Sequence, residues 1–135
     1  MHNDFWKQLK SGTDVRGVAS EGIPGQSVNL TDEAVGKITG AYVLWLTEKT
    51  GKEAGKLTVA VGRDSRISGP RITGVVTRTL ADSGVTVLDC GLASTPSMFM
   101  TTVDLACDGA VQVTASHHPF NRNGLKFFTR QGGLE

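Results

Sequence analysis

Three short apolar runs in the middle of the chain alternate with segments whose apolar residues recur at helical spacing, and this alternation constrains the fold more than any other feature. Leu57-Thr58-Val59-Ala60-Val61 is closed by Gly62, Val85 to Leu88 is closed by Gly91, and Gly109 to Thr114 makes a third run. Between the first two, Pro70 suits a first helical turn, and Ile72, Val75, Val76, Thr79 and Leu80 form one stripe that stops at Ser83-Gly84. Between the second and third, Thr95-Pro96 opens another helix, expected to run to about Cys107. Ahead of them, residues 31–50 also read as a helix. Thr31 suits the cap, Asp32 and Glu33 the positive end of the dipole, and Lys49 with Gly51 the finish. Val35, Ile38, Tyr42 and Trp45 are expected to face the core. A fourth strand, Leu125 to Thr129, follows a predicted turn containing Asn123-Gly124.

Strands separated by helices of this length imply right-handed crossovers and a parallel sheet. The loop before the last strand permits a hairpin. The expected fold is therefore α/β, a three-layer α/β/α arrangement. Its sheet is mixed, mostly parallel and four-stranded, with the last strand antiparallel. Ligands bind such sheets where loops leave the carboxyl ends of the parallel strands. Loops 62–69, 90–95 and 115–124 leave that edge.

Composition narrows the class. A length of 135 residues suits one domain, and a hydrophobic fraction of 39% supports a packed core. A net charge of +1 gives no reason to expect nucleic acid or an anionic membrane as the main partner. The longest strongly apolar run, Tyr42 to Leu46, is far short of a membrane span, and Met1-His2-Asn3-Asp4 does not begin a signal peptide. Cys90 and Cys107 are too few and too far apart for a disulfide framework or a zinc site, and two reduced thiols suit a cytoplasmic protein. Glycine is in excess, 17 residues, clustered between the periodic segments where tight turns are needed.

The first loop, Gly62-Arg63-Asp64-Ser65-Arg66-Ile67-Ser68-Gly69, carries two guanidinium groups suited to phosphate or carboxylate. Arg63 and Asp64 could equally pair with neighbours and lock the loop. There is no Gly-Lys-Ser/Thr after a strand, which disfavours a nucleoside triphosphate. The third loop is denser. Within Thr114-Ala115-Ser116-His117-His118-Pro119-Phe120-Asn121-Arg122-Asn123-Gly124-Leu125-Lys126 lie a hydroxyl, two imidazoles and an amine. By itself a Ser-His pair is more often a turn element than a nucleophile with its base, and no acid or Gly-x-Ser-x-Gly elbow supports a hydrolase.

The constellation as a whole resembles the α-D-phosphohexomutase family, which includes phosphoglucomutase and phosphomannomutase. Thr114-Ala115-Ser116-His117-x-Pro119 with Asn123-Gly124-x-Lys126 is similar to its phosphoserine loop. Gly12-Thr13-Asp14-Val15-Arg16-Gly17 resembles its opening segment, Val61-Gly62-Arg63-Asp64-Ser65-Arg66-x-Ser68-Gly69 its second motif, and Gly91-x-x-Ser94-Thr95-Pro96 its third. Four motifs in the right order span nearly the whole chain. His118 departs from the pattern, standing where the family most often has Asn.

The resemblance implies that residues 1–135 are one domain, the first of four, with the remaining domains of the same chain as its partners and a hexose phosphate as substrate. Ser116 would carry the phosphoryl group, Lys126 would act as general base and acid, Arg16 would neutralise the transferring group, and His117 would hydrogen-bond or assist proton movement. Arg66, Asn123 and Gly124 would bind phosphate or substrate. Magnesium would bridge the phosphate on Ser116 and aspartates that this chain lacks; a glucose 1,6-bisphosphate-type activator is also implied. Glucose or mannose phosphates are the expected substrates, and the fragment alone is expected to be inactive. The alternative is a non-catalytic α/β module whose serine loop is a binding or regulatory phosphosite.

Overall fold

The computed structural model of the chain describes residues 10–11, 14–19, 28–65, 68–114, 121–129 and 132–133. Helix α1 (Asp32–Thr50) begins where the Thr31 hydroxyl accepts the Ala34 N–H at 3.2 Å, and it ends where Gly51, at φ 71°, donates its N–H to Thr47 O. Both ends match their sequence signals. Its buried stripe is Val35, Thr39, Tyr42, Val43 and Leu46. Trp45 was expected on that stripe but is 37% exposed. At roughly 100° per residue, Leu46 lies above Val35 while Trp45 swings to the flank. There its ring stacks on Tyr42 at 6.4 Å and lies under the Lys49 ammonium at 6.0 Å.

Strands β3 (Thr58–Arg63), β4 (Thr86–Leu92) and β5 (Gly109–Val113) run parallel, with β3 between the other two. Helices α2 (Gly69–Asp82) and α3 (Thr95–Asp104) make the crossovers. Ser94, rather than Thr95, caps α3 by accepting the Ser97 N–H. That helix stops three residues earlier than expected, in a turn where Ala106 takes a φ of 53°. Strand β6 (Arg122–Thr129) pairs antiparallel with β5, as expected for the last of the four strands.

The sheet extends beyond those four. Strand β2 (Asp14–Val18) pairs antiparallel with β6, and β1 (Lys10–Ser11) pairs with β2. A short β7 (Gly132–Gly133) pairs with the far end of β6. The resulting order is β1-β2-β6-β5-β3-β4. Asn123 and Gly124, expected in a turn, are strand residues opposite Gly17 and Arg16. Held between β2 and the end of β5, with Gly124 O accepting the Thr114 N–H, they are drawn into the sheet, so the local turn preference yields to the ladder.

Side chains alternate across the sheet and divide the core in two. Val59, Val61, Val111, Val113, Leu125 and Phe127 pack with α1 and α2, while Ala60, Ala110 and Phe128 pack with Met98 of α3. These are the three layers. Gly62 permits the close approach of α3, since a Cβ there would lie 2.6 Å from Met98 Sδ and 2.8 Å from Gln112 Oε1. No helix among the described residues is long and apolar enough to cross a membrane.

Candidate functional site

Parallel pairing brings the carboxyl ends of β3, β4 and β5 to one edge, and short bonds between the segments leaving them hold them there. Ala93 N–H donates to Arg63 O at 2.9 Å, and Asp64 N–H donates to Val113 O at 3.1 Å. The Thr114 hydroxyl donates to the Asp64 carboxylate at 2.7 Å. The Gln112 amide donates to Ala93 O at 2.6 Å, tying β5 to the segment after β4. Asp64 thus locks its loop to a neighbour, one of the two alternatives its sequence position allowed.

Thr114 N–H donates to Gly124 O at 3.0 Å, and Gly124 stands opposite Arg16 in the β2–β6 register. The backbones of Arg16, Gly124 and Thr114 therefore lie side by side across three strands. Lys126, two residues along β6, is half-buried opposite Gln112, on the α3 side of the sheet. All four sequence motifs meet at this edge: the first through Arg16, the second through Asp64, the third through Ala93, the fourth through Thr114 and Gly124.

Ser116, His117, His118 and Arg66 lie outside the described residues, as does the Arg16 side chain. Thr114, two residues before Ser116, is the last described residue ahead of it. Asn123 is fully buried and faces the other side. Its amide donates to Ser68 Oγ at 2.9 Å, and its amide oxygen accepts the Gly124 N–H at 2.9 Å. Ser68 precedes α2 but makes no side-chain cap; its hydroxyl serves Asn123 instead. Asn123 and the Gly124 backbone are thus committed within the protein.

Sequence reasoning missed Thr114, Gln112 and Arg71 as organisers of the site. Arg71 holds the carbonyls of Ala19 and Leu30 at 2.8 and 2.9 Å and pairs with Asp32, fastening the segment after β2 to α2. Nothing local marks Gln112 and Arg71, because each acts through partners distant in the chain, and although Thr114 opens the fourth motif, its bond to Asp64 joins positions 50 apart. Among the described residues, no three His, Cys, Asp or Glu side chains are grouped to hold a metal ion.

Residues 7–134 match the family described as phosphoglucomutase/phosphomannomutase, alpha/beta/alpha domain I. The chain belongs to that family. It is 39% identical over 122 residues to a phosphoglucosamine mutase of Corynebacterium urealyticum, covering 90% of this chain and 26% of the relative. A phosphoglucosamine mutase of Alkaliphilus metalliredigens is 38% identical over 124 residues, with 90% and 25% covered. Among solved structures, a phosphoglucomutase/phosphomannomutase family protein from Burkholderia thailandensis superposes with a TM-score of 0.70 at 26% identity, covering 96% of this chain and 27% of that one. A protein from Thermus thermophilus gives 0.75 at 27% identity, with 95% and 27% covered. The chain thus spans about a quarter of the length of the relatives it matches.

Proposed function

We propose that the chain is the phosphoserine-bearing first domain of a phosphohexomutase, which interconverts hexose 1-phosphate and hexose 6-phosphate. The observation that carries this reading is the meeting of all four motifs at one sheet edge, together with the family match over residues 7–134. In the proposed cycle, the phosphoryl group on Ser116 passes to a sugar hydroxyl while the Lys126 amine takes the hydroxyl proton and protonated His117 gives a proton to the departing Ser116 oxygen. The resulting bisphosphate reverses its orientation. Its other phosphoryl group returns to Ser116 as His117 takes back the serine proton, and Lys126 gives its proton to the departing sugar oxygen. Phosphoryl transfer asks chiefly for in-line positioning and charge stabilisation, and a serine ester survives between turnovers.

Arg16 and Arg66 offset the phosphate charge, and His117 hydrogen-bonds the transferring group. Asn123 and Gly124 shape the strand that carries Lys126, since their polar groups are engaged within the fold. The magnesium ion that the resemblance implies would offset the charge on the Ser116 phosphate. Because two relatives are phosphoglucosamine mutases, glucosamine phosphate is to be tried as substrate beside glucose and mannose phosphates.

The test is intact mass and peptide mapping of the complete encoded protein after incubation with glucose 1,6-bisphosphate. The phosphoryl group should sit on Ser116 and on no other serine, and Ser116→Ala should abolish turnover. A label elsewhere, or wild-type turnover in the Ala variant, defeats the mechanism.

A further inference from the structure

Helix α1 packs on the face of the sheet opposite Lys126, and its outer side carries a row of exposed residues, Lys37, Ala41, Leu44 and Glu48. At roughly 100° per residue these four fall within about 60° of the helix surface. Leu44 is 68% exposed, and the Trp45 ring borders the row. A leucine this open in the middle of a 19-residue helix contributes little to the core beneath it.

The row is complementary to its own reverse. Its spacing of four, three and four residues is that of a two-helix seam. A two-fold axis crossing α1 between Tyr42 and Val43 sets Ala41 of one copy opposite Leu44 of the other, so each large side chain meets a small one. The same axis sets Lys37 opposite Glu48 at both ends of the seam. Glu48 has no ion pair among the described residues, and the 3.1 Å pair of Lys37 with Glu33 joins two exposed groups, which exchange partners at little cost. The Trp45 rings of both copies fall on one side of the seam, each beside the other copy's Ala41. A parallel arrangement would instead set Lys37 against Lys37 and Glu48 against Glu48. Antiparallel helices also bring opposite ends of their dipoles together.

We propose that the outer face of α1 is a self-complementary interface through which two copies of the chain associate antiparallel, with Leu44 on Ala41 and Lys37 on Glu48. A symmetric dimer of this kind uses one patch twice, so every contact across the seam occurs twice. Lys126 lies on the other side of the sheet, and the interface stands whether or not the mutase reading holds.

The test is sedimentation equilibrium of the 135-residue chain and of the complete encoded protein, from micromolar to millimolar concentration. Both should show a monomer–dimer equilibrium that weakens as salt rises. Leu44→Glu should weaken association about tenfold or more, with the melting temperature of the monomer unchanged. Lys37→Glu and Glu48→Lys should each weaken self-association, while an equimolar mixture of the two forms a mixed dimer about tenfold tighter than either variant alone. Carrying both changes on one chain should restore self-association. A monomer at every concentration, wild-type association in Leu44→Glu, or a mixture no tighter than its components overturns the proposal. Dimers of the 135-residue chain that disappear in the complete protein also overturn it, and would assign this face of α1 to the rest of the polypeptide.

Discussion

The Asp64 carboxylate accepts a 2.7 Å hydrogen bond from the Thr114 hydroxyl, joining two loop ends 50 positions apart in the chain. Asp64 N–H also bonds Val113 O, so backbone and side chain fasten the same junction. Hydrogen bonds to a charged group contribute about 1.5–3 kcal/mol when partly shielded. A double-mutant cycle with Asp64→Asn and Thr114→Val, read by urea unfolding, should therefore give a coupling of at least about 1 kcal/mol. A coupling near zero would mean that the bond does not hold the loops.

Tyr42 is the only tyrosine in the chain, so the absorbance of ionised tyrosine reports it alone. Its hydroxyl donates to Phe128 O at 2.7 Å, and burial raises its pKa well above 10. In the unfolded chain the phenol ionises near pH 10. Its contribution to stability is thus fully present below about pH 10 and is lost as pH rises toward the folded value. Alkaline titration should show tyrosinate appearing together with unfolding. Tyr42→Phe should flatten that alkaline decline and cost about 1–2 kcal/mol at neutral pH, because Phe128 O loses its donor.

Gly109 and Gly40 should respond to alanine in opposite directions. A Cβ on Gly109 would collide with the Tyr42 hydroxyl and lie 3.0 Å from Phe128 O, a backbone atom with no freedom to retreat. Gly109→Ala should destabilise by about 1–3 kcal/mol. Gly40 lies within α1 with nothing inside 4 Å of the same position, so Gly40→Ala should stabilise by about 0.5–1 kcal/mol. Thermal and urea melts of the two variants compare the signs directly.

The 135-residue chain alone is expected to show no mutase turnover. Under the proposed mechanism the metal ligands and the remaining substrate contacts come from the rest of the protein. A coupled assay converting glucose 1-phosphate or glucosamine 1-phosphate should read background. Steady product formation by the purified chain would show that the site is complete without them.

The strand and helix order, both caps of α1, the Pro70 start of α2 and the antiparallel last strand were legible in the sequence. Each depends on hydrophobic period or on cap and turn chemistry within a few residues, and such signals survive without tertiary context. The motif order was legible for the same reason: each motif is a local string. Tertiary structure decided what the strings do together. Asp14–Val18 contains Asp, Arg and Gly and has little intrinsic strand preference; it becomes β2 because β6 offers an open edge. That same pairing turns Asn123 and Gly124 from an apparent turn into strand and sets Gly124 beside Arg16. Ser68 looks like a helix cap, but the buried Asn123 amide claims its hydroxyl. Trp45 sits on an apolar stripe, yet the way α1 rests on the sheet buries Leu46 in its place. In each case the competing interaction comes from a residue far away in the chain, and only the register of the sheet and the packing of helices on it bring that partner within a few ångströms.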